Sequence, residues 1–191
     1  VTGVPSHKLL TNSGAEDGLT GWLHSTAGTD TISAGIAQPR TGDHAFCIEN
    51  ESAGTDKLYR TLSLEAGQTY TLSGYVKTAS PFAAGGASLT LNNLQSEVIA
   101  DSFGEWERIS VTAKMPEASS GLVSVTLSAQ VSGGSGKVYF DDLMIEKGEA
   151  PGVYNLLENS NFEVAQTLEG AKAYAAISSG GLNGTRVLRL S

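Results

Sequence analysis

The side chains that could carry catalysis are few and scattered along the chain. The three histidines, His7, His24 and His44, all precede residue 45 and have no cysteine or serine partner in a recognisable nucleophile motif. Asp141 and Asp142 are adjacent, and neighbours in a regular strand point to opposite faces, so they would not act as an acid and base pair. The sequence therefore predicts no enzymatic activity.

Recognition of a sugar is a second kind of chemistry, and it is available around Tyr75. An aromatic ring can stack on the apolar face of a pyranose while nearby polar side chains bond its hydroxyls. Alternation along residues 69–78 places Tyr75 and Lys77 on the face opposite Tyr70 and Leu72. The candidate ligand-binding residues are Tyr75, Lys77, Tyr59, Arg60, Asn92 and Gln130. The alternative is that Tyr75 makes only a favourable cross-strand contact.

The elements that must position these residues are short alternating runs separated by turn residues. Helical periodicity is scarce, and this pattern is typical of an all-β fold, an antiparallel β-sandwich. The clearest predicted strands are residues 57–64, 69–78, 87–91, 107–113, 122–131 and 137–145. In the fifth of these runs, apolar residues alternate with Ser, Thr and Gln, so we expect one sheet face lined with hydroxyls and amides.

The opening phrase of the chain occurs twice. LLTNS at residues 9–13 is followed by Glu16, LLENS at 156–160 is followed by Glu163, and NGTRVLRL at 183–190 corresponds to TGDHAFCI at 41–48. Pro151-Gly152 marks a linker between the two copies. The prediction is a complete module over residues 1–150 and the truncated start of a similar module over 151–191. The strands of 151–191 need partners, either in the first module or in a neighbouring chain within a dimer.

Charge and composition limit the partners. The formal net charge of −8 and the pI near 4.8 argue against nucleic acid or an anionic membrane, because both attract clusters of Lys and Arg. No apolar run approaches the roughly 20 residues of a spanning helix, which argues against membrane insertion. Cys47 is the single cysteine and follows Phe46 in an apolar run, so we expect a packed thiol.

Several phrases occur in an order that resembles a known family. They are the opening LLTNS with Glu16-Asp17-Gly18, then Gly21-Trp22, Thr41-Gly42, LSLEAGQTYTLS at 62–73, EWERISV at 105–111 and VYFDDL at 138–143. This order is similar to carbohydrate-binding modules of families four and nine, in the galactose-binding-like jelly-roll superfamily. The resemblance covers residues 8–147, and NLLENSNFE at 155–163 matches the opening phrase better still. It implies a jelly roll.

The same resemblance implies a structural calcium ion. Glu16 and Asp141 would supply carboxylates, with carbonyl oxygens from near Asn12 or Ser13 and from near Asp43, a donor set that suits calcium. The first copy reads Gly14-Ala15-Glu16 where the second reads Asn161-Phe162-Glu163, so a Phe that would anchor the loop is missing. The alternative is that these acidic residues cap turns or face solvent.

The remaining aromatic residues are expected to serve packing. Trp22 and Trp106 match positions where the family has core tryptophans. Phe82 and Phe103 lie in or beside loops, where they would staple those loops or, alternatively, line a site at the edge of the sandwich.

Together these features predict a non-catalytic carbohydrate-binding module, repeated in tandem, in a secreted or cell-surface protein of a bacterium. Its partner would be a glycan or polysaccharide. The alternative function is a structural spacer or protein-interaction sandwich without sugar binding.

Overall fold

The computed structural model describes residues 9–35, 38–79 and 85–149, together with the backbone of two strands at 175–179 and 186–190. The chain divides into two compact units, Val1–Pro151 and Gly152–Ser191. In the second unit, strands β11 (Ala175–Ser179) and β12 (Arg186–Leu190) pair antiparallel. The repeated motif at 156–163 lies outside the described residues, as do the Pro151-Gly152 linker and Phe82. The identity of the second unit as a truncated copy therefore stays a prediction.

The first unit is an antiparallel β-sandwich of ten strands. In chain order they are β1 Leu23–Ser25, β2 Thr31–Gly35, β3 Ala45–Asn50, β4 Thr55–Glu65, β5 Thr69–Thr78, β6 Gly86–Leu91, β7 Leu94–Gln95, β8 Glu107–Lys114, β9 Leu122–Ser132 and β10 Gly136–Lys147. The front sheet has the order β1-β4-β9-β6-β7, and the back sheet has the order β2-β3-β10-β5-β8. No helix occurs in the described ranges. The predicted all-β sandwich is confirmed.

Alternating apolar residues generate this architecture. Each of the six predicted strands is present, with ends that differ by at most two residues. In β9, Val125, Leu127 and Ala129 point into the space between the sheets and are buried, while Ser124 and Thr126 are exposed. Burying one face of each sheet against the other provides the main stabilisation of the unit.

Trp22 lies in this core, as predicted. It is buried, and its ring packs edge-on against Phe46 with 5.3 Å between the ring centroids. Trp106 differs from the prediction, because it is only half-buried just before β8 and does not join the core. Phe103 does not anchor its loop to the core, since 87% of the residue is exposed.

The outward side of β5 is less open than alternation suggests. Thr71 and Ser73 alternate onto the same side of β5 as Tyr75, but both are buried. Thr71 Oγ1 donates to the carbonyl of Gly148, and the Thr112 hydroxyl lies 2.8 Å away. The segment after β10 therefore covers this part of the back sheet.

Candidate functional site

The predicted ligand-binding residues do not form one site, because they belong to different sheets. Tyr75 and Lys77 are on β5 in the back sheet, whereas Tyr59 and Gln130 are on β4 and β9 in the front sheet. The outward faces of the two sheets are opposite sides of the sandwich. Sequence reasoning grouped these residues because alternation gives the inward or outward direction of a side chain but not the sheet to which its strand belongs.

Tyr75 has one ring face covered. The Arg40 guanidinium carbon lies 3.5 Å from the ring centroid, and that of Arg108 lies 6.0 Å from it. These are cation–π contacts. The neighbouring Lys77 donates from Nζ to Gln38 Oε1 at 2.8 Å. Tyr75 is therefore a partner of Arg40 inside the back-sheet surface, which removes the predicted stacking platform from one side.

Arg60 is also engaged elsewhere. It follows Tyr59 on β4 and therefore points to the other face of the strand. Its Nη1 donates to both the carbonyl and the hydroxyl of Thr11, at 2.9 and 3.0 Å. The guanidinium also lies against Gly21. Arg60 fastens the opening loop and does not reach the polar face.

The outward face of the front sheet brings polar side chains together around Tyr59. In the strand register, Tyr59 lies between Leu23 on β1 and Ser128 on β9, and Lys57 lies opposite Gln130. We call these five residues, Tyr59, Leu23, Ser128, Lys57 and Gln130, the Tyr59 face. Leu23 is exposed and Tyr59 is half-buried. Among the residues that the structure describes, Tyr59 and Lys57 have no side-chain hydrogen bond or ion pair.

Hydroxyl pairs fix the surroundings of the Tyr59 face. The hydroxyls of Thr90 and Ser128 are 2.5 Å apart, and those of Thr61 and Thr126 are 3.2 Å apart. Asn92 sits beyond them in the tight turn between β6 and β7, where its backbone N–H donates to the carbonyl of Thr126. The predicted face of hydroxyls and amides is present, with its polar groups held across strands.

The acidic residues of the predicted calcium site do come together. Glu16 accepts backbone N–H donors from Asp43 and His44 at 3.1 Å, and His44 Nδ1 lies 3.3 Å from Glu16 Oε2. Burial opposes ionisation of Glu16, but these hydrogen bonds outweigh it and lower the pKa of the carboxyl group. Glu16 thus ties the opening loop to the turn that contains Asp43.

Asp141 and Asp142 both bond the Arg40-Thr41 segment, against the prediction from alternation. Asp141 Oδ2 accepts the N–H groups of Arg40 and Thr41 at 2.8 and 3.1 Å. Asp142 forms a 2.7 Å ion pair with Arg40 and accepts the Thr41 hydroxyl at 2.6 Å. The register shifts between Asp141 and Met144, and Asp142 has φ 49°, so a bulge turns both carboxylates toward one loop.

Burial distinguishes Asp141 from its neighbour. Desolvation raises the pKa of Asp141 to about 6, and the N–H donors of Arg40 and Thr41 only partly oppose that effect. Nearby, the Ser13 carbonyl accepts the Leu143 N–H at 3.1 Å, and the Asn12 carbonyl accepts Trp22 Nε1 at 2.8 Å. The opening loop is therefore bonded to the last strand and to the core.

Gly14 marks where the two carboxylates converge. A Cβ placed on it would lie 2.9 Å from Asp141 Oδ1 and 4.0 Å from Glu16 Oε1. Ala15 is fully buried with φ 65°, so the methyl of Ala15 enters the core where the second copy has a Phe. The described residues contain no group of three or more His, Cys, Asp and Glu side chains placed to hold a metal. A cation here would rely on these two carboxylates and on carbonyl oxygens.

Sequence reasoning missed Arg40. This residue stacks on Tyr75, pairs with Asp142 and donates its backbone N–H to Asp141. Arg40 is 35 positions from Tyr75 and 101 and 102 positions from Asp141 and Asp142, so no local sequence pattern links it to them. The one sequence feature that could have indicated a role for Arg40 is its position just before the Thr41-Gly42 turn.

The fold of the first unit is similar to that of solved carbohydrate-binding modules. A family 16 carbohydrate-binding module aligns with 72% of this chain and 99% of its own length, at 17% identity and a TM-score of 0.54. A family 61 module solved with β-1,4-galactotriose gives 15% identity and a TM-score of 0.54, covering 73% of this chain and 98% of that one. A family 4 module gives 19% identity and a TM-score of 0.53, over 72% of this chain and 98% of that one. The similarity to the jelly-roll sandwich is thus established at the level of fold.

The curated relatives carry a different name. The tRNA nuclease WapA of Bacillus subtilis strain 168 is 28% identical over 180 residues, and a tRNA3(Ser)-specific nuclease WapA of Bacillus spizizenii is 27% identical over the same length. Each alignment covers 84% of this chain but only 8% of the relative. No protein-family model matches the chain.

These names correct one prediction from the sequence. The absence of a nucleophile motif predicts no enzymatic role, whereas the relatives in sequence are named as enzymes. The inference failed because it searched 191 residues for chemistry, while the relatives are proteins of which such a stretch is a small part. In the described ranges there is no helix with the length and apolar character that a membrane crossing requires.

Proposed function

We propose that this chain is a glycan-recognition module of a secreted or cell-surface bacterial protein, and that the Tyr59 face binds the sugar. The observation that supports this most strongly is the pairing of Tyr59, which has no polar partner among the described residues, with exposed Leu23 in the same register. Together they offer an apolar strip bordered by amides and hydroxyls. Sugar rings present apolar faces and hydroxyl edges, which match this arrangement.

Each residue of the Tyr59 face has a distinct part in the proposed binding. Tyr59 stacks on a pyranose ring, while the amino group of Lys57 and the amide of Gln130 bond hydroxyls at its edge. The Thr90–Ser128 and Thr61–Thr126 hydroxyl pairs keep the surrounding surface fixed before binding. Because these hydroxyl groups are already fixed, sugar binding would cost less conformational entropy than binding to mobile side chains.

A glycan array tests this proposal and discriminates the two tyrosines. We expect the chain to bind at least one class of glycan, and Tyr59→Ala to reduce that affinity by about five- to thirtyfold, as loss of one stacked ring costs on the order of 1–2 kcal/mol. Tyr75→Ala is the matched control and should leave binding within about twofold. Loss of binding only in Tyr75→Ala would move the site to the back sheet. A blank array with folded protein would support the spacer function.

The names of the relatives support a second inference about the larger context. We infer that this chain belongs to a long protein with nuclease activity toward tRNA, since it aligns with 8% of such proteins. In that protein the module would hold the enzyme at a glycan-bearing surface. The test is a tRNA cleavage assay on the complete natural protein, compared with a version that carries Tyr59→Ala. Cleavage in solution should be equal in both, and retention on glycan-coated beads should be lost in the variant.

We also propose that calcium binds between the opening loop and the last strand. Glu16 and Asp141 would hold it, with carbonyls near Ser13 and Asp43, and the convergence of both carboxylates at Gly14 supports this. Bound calcium would neutralise the two carboxylates and fix the loops that they join. Loop N–H groups already occupy these carboxylates, as the turn-capping alternative predicts. Carboxylate oxygens accept more than one bond, so lone pairs remain for a cation.

Tandem repetition and self-association are proposals too. The repeated LLENS motif supports a second, truncated module in residues 151–191, and linked copies would raise the avidity of weak sugar sites. If its strands complete a neighbouring chain, light scattering should give the mass of a dimer. A monomeric mass with amides of β11 and β12 still protected from exchange would contradict the dimer.

A further inference from the structure

The outward face of the front sheet carries little negative charge, although the chain has a net charge of −8. Within the strands of this sheet, all of which lie in the described ranges, a single outward position holds a carboxylate, Glu65 at the end of β4. Lys147 neutralises it, with Nζ 2.7 Å from Glu65 Oε2. The remaining outward side chains are apolar groups, hydroxyls and amides, together with Tyr59 and Lys57. This face of an acidic protein therefore has no unpaired carboxylate.

Lys57 brings a positive charge to this face and has no partner in the protein. Every other lysine and arginine whose side chain the structure describes makes a hydrogen bond, an ion pair or a ring contact, whereas Lys57 makes none. The residues opposite Lys57 in the strand register are Ser25 on β1 and Gln130 on β9, and both are neutral. Lys57 is also exposed. Its ammonium group is therefore available to an anion that approaches from solvent.

The outward face of the back sheet has a different charge arrangement. Glu49 and Glu146 occupy outward positions there, so an anionic ligand would meet carboxylates. Lys137 pairs with Glu49 at 3.1 Å, and Lys77 donates to Gln38 at 2.8 Å. The contrast between the two faces indicates that the front sheet, at Lys57, is the better surface for an anion.

Lys57 and Tyr59 are placed to act on the same sugar unit. They are two positions apart on β4, so their side chains leave the same face of the strand about 7 Å apart. A sugar ring stacked on Tyr59 would have its edge within reach of the flexible four-carbon stem of Lys57. A hydrogen bond from an ammonium group to a carboxylate or phosphate is stronger than one to a neutral hydroxyl. Lys57 would therefore favour a sugar with an anionic substituent over the neutral analogue.

We propose that the glycan recognised at the Tyr59 face is anionic, and that Lys57 selects it by holding a carboxylate or phosphate group of the sugar. This inference rests on the proposed function, because it takes the Tyr59 face as the sugar site, and it adds the chemical class of the glycan. The three donors of the ammonium group allow Lys57 to bond a neighbouring hydroxyl as well. The acidic remainder of the chain would repel such a polymer, which confines its binding to this face.

A glycan array that carries neutral, uronic acid-containing and phosphate-bearing glycans tests the proposal. We expect the tightest binding to an anionic glycan, and the class that binds identifies the anion as a carboxylate or a phosphate. That glycan is then compared by calorimetry with its own neutral form, made by reducing the carboxyl groups to alcohols or by removing the phosphates. The neutral form should bind at least about fivefold more weakly, because it loses the ion pair with Lys57.

Substitutions of Lys57 separate the role of its charge from that of the surrounding face. Lys57→Gln should bind the anionic glycan at least about fivefold more weakly than the wild type and the neutral form equally well, while Lys57→Arg should retain the preference for the anion. Lys114→Gln is the matched control, since it makes the same charge change at an exposed lysine of the back sheet and should stay within about twofold of the wild type. Lys57 has no partner to lose, so the melting temperature should not change.

The possible failures of this proposal and of the proposed function are distinguishable. Binding of neutral glycans alone, lost in Tyr59→Ala, would overturn the anionic class and leave the Tyr59 face as the sugar site. An anionic glycan bound equally by Lys57→Gln and the wild type would remove Lys57 as the selecting residue. A blank array with folded protein, or binding lost only in Tyr75→Ala, would overturn both proposals together.

Discussion

Arg40 shows how one side chain holds distant parts of the surface together. Its guanidinium pairs with Asp142 and covers Tyr75, while only 19% of its side chain and 6% of that of Asp142 is exposed. Removing one partner of a buried pair leaves the other charge without compensation, which commonly costs about 3 kcal/mol. Arg40 is therefore expected to be a major contributor to stability.

Arg40→Ala should lower the free energy of unfolding by about 3 kcal/mol in urea titrations. Lys137→Ala is the matched control, since Lys137 forms a 3.1 Å pair with Glu49 while both side chains are well exposed. Exposed pairs contribute about 0–1 kcal/mol, so this variant should be close to the wild type. Equal, small losses in both variants would show that the Arg40 pair is not stabilising.

Asp141 should give the calcium-free chain a distinctive pH dependence. Its folded pKa of about 6 exceeds its ordinary value of 3.8, so the folded state binds its proton more tightly than the unfolded state does. Stability should therefore rise as the pH is lowered from 7 toward 4, by about 1–3 kcal/mol from this group. Urea titrations in metal-free buffer at several pH values should show this rise in the wild type and not in Asp141→Asn. Equal slopes in the two chains would contradict the assignment.

At this scale the sequence predicted the members of the carboxylate cluster better than the ligand residues. Glu16 and Asp141 both lie within 4.0 Å of the position of a Cβ built on Gly14, and their role as calcium ligands stays a prediction. The position of Asp142 was not predictable, because a bulge with φ 49° interrupts the alternation on which its face was assigned. The cover of one face of the Tyr75 ring was not predictable, because Arg40 is 35 positions away in the chain.

At the scale of strands, period-two alternation was sufficient to locate the six predicted strands. All six predicted strands are present because their apolar residues must face the core. Of the other four strands, β3 was indicated by the turn and alternating run at residues 41–48, whereas β1, β2 and β7 were not predicted, since runs of two to five residues carry too little pattern. The pairing of strands could not be predicted from the sequence. In the structure β4 pairs with β9 and β1, whereas β5 pairs with β10 and β8. That assignment decides which tyrosine shares a face with Gln130.

Gly85, just before β6, lies so close to the backbone of Ser132 that a side chain has no room there. It has φ +82°, and a Cβ there would lie 1.7 Å from the Ser132 carbonyl oxygen. Gly85→Ala should therefore lower stability by about 3 kcal/mol or more, from strain and steric overlap together. Gly121→Ala is the control, with φ +76° and open space around the added methyl, and should cost only about 1 kcal/mol. Thermal unfolding of both variants measures the difference. Similar melting temperatures would show that β6 adjusts freely.

For the whole molecule, calcium removal is the most informative perturbation. Ion binding to the folded chain alone adds about 2.7 kcal/mol at a hundredfold excess over Kd, so chelation should lower the melting temperature by roughly 5–10 °C. Glu16→Gln should remove part of this response, measured by scanning calorimetry with and without chelator. A melting temperature that is unchanged by chelator and by added calcium would exclude the proposed calcium site between the opening loop and the last strand.

The edges of the front sheet have a consequence for how copies of this module can be joined. The sheet ends in β1, which has three residues, and in β7, which has two. Strands this short present few unpaired N–H and C=O groups, and exposed strand edges are where β-proteins adhere to one another. Modules strung closely along one polypeptide reach high local concentration. Brief edge strands on this sheet would let neighbours fold side by side without exchanging strands or aggregating.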